Sequence, residues 1–346
     1  MKLFSRLLQH VSQTSWAMDE GFFRKMVAVF TRHGEGIKLS DEQIADAIGR
    51  DVDEGEPESF MRVQKGTAII PIHGVIAQRA GAVDNISSRA GTSVEHIRAD
   101  LQRALADDSV KSIMLDIDSP GGSVAGLPEL ADEIRAARDS KPIVAHTDSM
   151  MASAAYWLGA QANRIYATRS AVVGSIGVIT SFFDDHRRMA DSGLDEVVIR
   201  SVPGKGMQQG NGAVSEDAIA AIKAEVDGYH AMFVDAVAVG RGIPSGEAKA
   251  MGDGMTRIGT KAKADGFVDE MGSAGSAVKH VRKLAARMAS TMAAVVTPPL
   301  AGGIAATSIP TTEDEAMTKQ TDPQVAAPTA SNLTEIPITT PNLVIL

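Results

Sequence analysis

The chain has no cysteine, few aromatic residues and no excess of positive charge: of 346 residues, 4% are aromatic, and 34 Lys+Arg stand against 43 Asp+Glu for a net charge of -9. Without thiols there is no disulfide framework, no thiolate zinc or iron-sulfur site, and no cysteine nucleophile. An acidic balance argues against a general binder of nucleic acid or of anionic membrane, because phosphate binding draws on a basic surface. Long apolar runs are missing too, since charged residues interrupt them well before the ~20 residues a membrane-spanning helix needs. The N-terminus carries Lys2 and Arg6 but lacks the apolar stretch and small-residue cleavage site of a secretory signal. The expectation is a soluble chain with no signal peptide, no membrane segment and no nucleic-acid partner.

The length present suits one to three domains. Phe267 is the last aromatic residue, and from about Ser290 the sequence turns to Thr, Ala and Pro without periodicity. Such a segment cannot bury enough apolar surface to offset chain entropy, so 290–346 is expected to be a disordered tail. At the other end, Phe22, Phe23, Met26, Val27 and Phe30 recur at helical spacing over 20–31. A short second helix is expected over 40–48, then an acidic linker over 51–58. Residues 1–62 thus read as a helical appendage, and 63–289 as the main domain.

That main domain alternates short apolar runs with amphipathic ones, the mark of βα units and a largely parallel sheet. Strands are expected over 67–72, 112–117, 142–145, 164–167, 171–173 and 196–200. Helices are expected over 93–106, 127–138, 151–161 and 215–239. Val94, Ile97, Leu101 and Leu105 make a one-face stripe on the first of these. On the last, Ile219, Ile222, Val226, Tyr229 and Phe233 suit either the core or a contact between copies.

Three segments could carry chemistry. In Asp118-Ser119-Pro120-Gly121-Gly122-Ser123, adjacent glycines let the backbone approach a ligand and turn N–H groups toward it. An ordinary strand-to-helix turn explains the same residues, and no Gly-Lys-Ser/Thr follows to make a phosphate loop. In 148–157 a strand end runs into a small-residue helix, so Ser153 is a candidate nucleophile or simply a packed serine. Gly174-Ser175-Ile176-Gly177 brackets a serine between glycines, as a presented hydroxyl or as a bend.

A serine needs a base. None of the 8 histidines stands in a motif, although a Ser/His/Asp triad assembled across loops stays open, with Asp118 or Asp148 as its carboxylate. The other base is a lysine whose amine is neutral near pH 7, which requires burial or nearby positive charge. Lys205, flanked by Gly204 and Gly206, is the lysine that stands out, and an exposed turn lysine is its plain alternative.

Together these segments resemble the signal peptide peptidase A family of Ser/Lys peptidases. The resemblance rests on LDIDSPGGSVAG (115–126), MASAAYWLGAQANRIYATRSAVVGSIGV (151–178), the glycine-bracketed Lys205 and KADGFVDEMG (263–272), in that order over 63–272. It implies an α/β fold with a Clp protease/crotonase-like βα superhelical core. It also implies Ser153 as nucleophile, Lys205 as general base, Ser175 as the group orienting the lysine, and an oxyanion hole from the N–H of Gly121 or Gly122 with that of Ala154. No cofactor and no metal are implied. Asp118 departs from the Asn found in many relatives, which bears only on loop geometry.

Within the family the chain looks like the branch of tailed-phage head maturation proteases, by its leading segment SWAMDEGFFRKMVAVF (15–30), its lack of an anchor and its trailing tail. That branch implies work in the host cytoplasm, inside the prohead, on scaffold, on the chain itself and on portal or coat protein. It implies a homo-oligomer as well. The Ala-rich stretch 301–306 would then be a self-cleavage site. Two alternatives share the fold: a non-enzymatic assembly factor, and a crotonase-type acyl-CoA enzyme, which gives no reason for Lys205.

Overall fold

A computed structural model describes residues 15–34, 61–79, 91–181 and 214–296, with scattered residues between 187 and 206. The expected helix over 40–48, the linker over 51–58 and the tail beyond 296 lie outside the described residues. Of the expected strand 196–200, Ile199 and Arg200 are described, and neither is in a strand.

The core is a six-stranded sheet. Its strands are β2 (Arg62–Gln64), β3 (Thr67–His73), β6 (Ser112–Asp118), β8 (Ile143–Thr147), β10 (Arg164–Ala167) and β13 (Glu270–Met271), in the order β13-β10-β8-β6-β3-β2. All neighbours are parallel except β2 with β3. The strands read as nearly continuous apolar runs because both faces are covered. Ile70, Leu115 and Ala145 face a core shared with helices α2 (Val94–Ala106) and α3 (Leu127–Ala137). Alternate residues Ile69, Met114 and Val144 face Ala277 and Val281 of the C-terminal helix α8 (Ala274–Val296).

Helix boundaries follow local chemistry. Ser93 caps α2 by accepting the His96 N–H at 3.0 Å, and the expected stripe is buried at Val94, Ile97 and Leu101. Ser215 caps the long helix α5 (Glu216–Arg241) through the Ala218 N–H, and Gly242 ends it in the left-handed conformation. Along α5 the stripe turns outward: Phe233 is fully buried but Ile219 is 50% exposed. Asp19 starts α1 (Glu20–Gly34), its Oδ1 accepting the Phe22 N–H at 3.0 Å.

Two smaller sheets flank the core. One has the order β1-β7-β4-β5, from β1 (Trp16–Met18), β4 (Val75–Ala77), β5 (Gly91–Ser93) and β7 (Gly121–Ser123). The other runs β12-β11-β9, from β9 (Met150–Ala152), β11 (Val172–Gly174) and β12 (Thr256–Ile258). Helices α6 (Ser245–Met251) and α7 (Gly259–Ala264) complete the described elements.

Two expectations are corrected. The helix expected over 151–161 begins only after Ser153, as α4 (Ala154–Gly159), because Met151 and Ala152 pair with Val173 and Gly174 in β9. Of the tail expected from Ser290, residues 290–296 belong to α8, and the rest lies outside the described residues. Within that helix Ser290 and Thr291 turn their hydroxyls back to the carbonyls of Ala286 and Arg287, so polarity on an exposed face did not mean loss of structure.

Candidate active site

Ser153 stands at the junction of β9 and α4 with φ 55° and ψ -118°, a conformation that L residues rarely adopt. The strain is held by neighbours on each side. Its N–H donates to Gly174 O at 2.8 Å, and its Oγ donates to Gly177 O at 3.3 Å. Just before it, the Ala152 N–H donates to Ser119 O at 3.1 Å, and the Ser119 N–H donates to Met150 O at 2.9 Å. The serine is therefore clamped between the turn that follows β6 and the turn that follows β11.

Ser175 is its close neighbour through Gly174, and it too has positive φ, at 54°. Its N–H donates to Met255 O at 2.9 Å, and it is 6% exposed. Strained non-glycine residues of this kind gather at functional sites, and two of the three among the described residues are these serines.

Gly121 and Gly122 bring the turn after β6 against the serine. Gly121 has φ 101°, and the place a Cβ would take is 3.0 Å from the Ala154 N and overlaps the Ala17 carbonyl oxygen. At Gly122 a Cβ would overlap the Ile76 carbonyl. Neither position admits a side chain, so the glycines serve close backbone approach. The Gly121 N–H is donated to Ser119 Oγ at 3.1 Å. Ser119, Gly177 O and the strand β1 are the participants that motif reading missed; Trp16-Ala17-Met18 is too short an apolar run to announce itself.

Of the expected groups, Gly121 lies against Ala152 and Ala154 on either side of Ser153, and Ser175 follows the Gly174 carbonyl that accepts the Ser153 N–H, while Gly122 packs on Ile76. Lys205 is exposed on the turn Gly204–Gly206, its backbone N–H donating to Val202 O at 3.1 Å. Among the described residues no hydrogen bond joins its ammonium to Ser153. His73 and His146 gather round Asp116, with ring nitrogens 3.9 and 3.8 Å from its carboxylate.

Behind the site a buried ion pair fixes the chain near its C-terminal strand. Arg241 is 10% exposed and grips Asp269, 15% exposed, through two bonds of 2.6 and 2.9 Å. Burial pushes the Asp269 carboxyl up, but Arg241, the Ile165 N–H and Arg164 together hold it below the usual carboxylate range. Tyr156 of α4 donates its hydroxyl to Phe267 O at 3.1 Å, and burial raises its pKa. Among the described residues no cluster of three or more His, Cys, Asp or Glu is placed to hold a metal. No helix among them is long and apolar enough to cross a membrane.

Comparison with known proteins agrees with the motif reading. Residues 135–287 match the model of peptidase family S49, a span that includes Ser153, Ser175 and Lys205 but not the two glycines. The head-tail preconnector protein GP5 of Enterobacteria phage P21 is 31% identical over 230 residues, covering 64% of this chain and 44% of that protein. The capsid assembly protease C of Escherichia phage lambda is 28% identical over 251 residues, 72% of this chain and 56% of that protein. A putative signal peptide peptidase SppA of Enterococcus faecium is 28% identical over 215 residues, 62% of each. The chain spans between 44% and 62% of these relatives' own lengths. Residues 135–287 thus match peptidase family S49, and the named relatives, two from phages and one a putative signal peptide peptidase of a bacterium, agree with that match.

Proposed function

We propose that the chain is a serine endopeptidase of phage capsid maturation, with Ser153 as nucleophile and Lys205 as general base. The observation that carries this reading is the strained, clamped Ser153, with Gly121 and the Ala154 N–H brought against it. In the first step the Lys205 amine takes the Ser153 hydroxyl proton as Oγ bonds to a peptide carbonyl carbon. The carbonyl electron pair moves to oxygen, and the oxyanion is met by the Ala154 N–H and the glycine turn. Collapse breaks the C–N bond, and the Lys205 ammonium returns its proton to the leaving amine. Water then attacks the acyl carbon as Lys205 takes its proton, and collapse breaks the C–O bond to Ser153 while the Lys205 ammonium returns that proton to Oγ. Ser175 is the orienting hydroxyl for the amine in this scheme.

The substrates we infer are polypeptides met inside a prohead: scaffold, the chain itself, and portal or coat protein. Support comes from the similarity to the two phage relatives, a capsid assembly protease and a head-tail preconnector protein. The protein would act as a homo-oligomer without cofactor. A second reading, a non-enzymatic assembly factor on the same fold, is favoured by one observation: Lys205 is exposed and has no bond to Ser153.

Intact-mass measurement on the wild type, Ser153→Ala and Lys205→Ala separates the two, each incubated alone and with the scaffold protein encoded nearby. Fragments from the wild type that vanish in both variants support the dyad. All three proteins whole, with partners whole but bound, supports the assembly factor. Equal cutting by all three sinks the assignment of both residues.

A further inference from the structure

The segments that flank Ser153 are paired with a strand of the same chain. β1 lies antiparallel on β7, with Trp16 opposite Ser123, Ala17 opposite Gly122 and Met18 opposite Gly121. On its other edge Trp16 and Ile179 exchange two hydrogen bonds of 2.8 Å, also antiparallel. Ile179 follows Gly177, whose carbonyl accepts the Ser153 hydroxyl. The segment therefore runs as a middle strand between the glycine turn and the stretch that receives Ser153 Oγ. The Ala17 carbonyl is so near Gly121 that a Cβ there would meet it and the Ala154 N together.

Side chains alternate as a bound strand requires. Trp16 and Met18 turn outward into a cluster with Phe23 and Met26 of α1, whereas Ala17 turns inward to the core that includes Ala154. Ser153, Ala154 and Ala17 are all 0% exposed. A serine that attacks an incoming polypeptide has to be reached by it, and here a strand of the same chain stands in the way.

We propose that residues 15–18 occupy the peptide-binding groove of the Ser153 site. A substrate then binds as an extended strand in their place, antiparallel to β7, with a small side chain facing Ser153. This rests on the peptidase reading given above. The occupant is anchored by α1 and by the bonds from Asp19 N–H to Pro120 O at 2.8 Å and from Val124 N–H to Ser15 O at 3.2 Å, so it leaves by a local opening of the N-terminal segment.

The absence of native cysteine permits a reversible lock. Residues exchanging two bonds across an antiparallel pair have Cα atoms ~5.5 Å apart, within disulfide range, so Trp16→Cys with Ile179→Cys should cross-link the strand in place. The full-length double variant is treated with a fluorophosphonate, and labelling of Ser153 is timed by intact mass, oxidised and then with dithiothreitol. We expect at least tenfold slower labelling when oxidised and recovery on reduction, with Trp16→Ala labelling severalfold faster than wild type. Equal rates in the oxidised and reduced forms overturn the proposal while leaving the peptidase reading intact. Failure of the disulfide to form overturns the strand pairing itself. Hydrogen exchange at Trp16 and Ile179 reports the strand independently of chemistry. If those amides are protected while Ser153 is inert in every form, the peptidase reading is what has failed, and the groove proposal goes with it.

Discussion

Ser153→Gly and Ser153→Ala should both abolish cleavage, yet the usual stability gap between them should shrink or reverse. Both lose the hydroxyl bond to Gly177 O, so that loss cancels between them. At an unstrained buried site, glycine would be the less stable by about 1.5 kcal/mol, from its greater unfolded freedom and one missing methyl. At Ser153, φ is 55° and ψ -118°, so any residue with a Cβ carries strain of about 1–3 kcal/mol that glycine does not. The two effects oppose each other, so glycine should fall between about 0.5 kcal/mol less and about 1.5 kcal/mol more stable than alanine, most of that range reversing the usual order. Each kcal/mol corresponds to about 2–4 °C in melting temperature for a domain of 150–250 residues. Urea unfolding and thermal melts on the two variants test this without interference from self-cleavage, since both lack the proposed nucleophile. Glycine less stable than alanine by more than about 1 kcal/mol would refute strain at the nucleophile.

Gly122→Ala places a Cβ into the Ile76 carbonyl, so it should destabilise by at least the ~1–3 kcal/mol typical of overpacking and should slow Ser153 labelling; a wild-type melt would contradict this. Asp269→Ala leaves Arg241 buried without its partner and should cost about 3–5 kcal/mol in urea unfolding, with Arg241→Met/Asp269→Leu recovering much of it. Because the Asp269 carboxyl is held below its ordinary value of 3.8, its contribution is present above that pH and lost as pH falls through the lower folded value. Acid melts of wild type and Asp269→Ala should therefore converge below pH 3.8, and a constant gap there would count against the pair. Phe233→Ala removes a ring stacked 4.4 Å from Trp157 and should lower stability by about 3–5 kcal/mol, measurable by chemical denaturation.

Much of the core was legible in the sequence because period and burial coincide there. The runs at 67–72, 112–117 and 142–145 are apolar on both faces, and helices cover both faces of their sheet. Legibility failed where pairing overrides local preference. Met151 and Ala152 suit a helix well, but partners at Val173 and Gly174 hold them in a strand. β1 has three residues, and its identity as a strand comes from Gly121–Ser123 and Ile179, which are far along the chain. At the site, glycines and serines in odd contexts were visible as letters. The sense of each came from backbone angles at Ser153, Ser175 and Gly121, which composition does not encode.

The middle strand also constrains the order in which the protein can be completed. β1 precedes both of its neighbours along the chain, and they arrive only when translation has passed Ser123 and then Ile179. Contacts of such sequence separation form late, because loop closure must precede them. Trp16, Met18, Phe23 and Met26 therefore wait as an exposed apolar face until the sheet exists to receive them. On the groove proposal, the nascent chain thus has a window in which β7, β9 and β11 come together before β1 docks, and any polypeptide present at that moment would compete for the same edge.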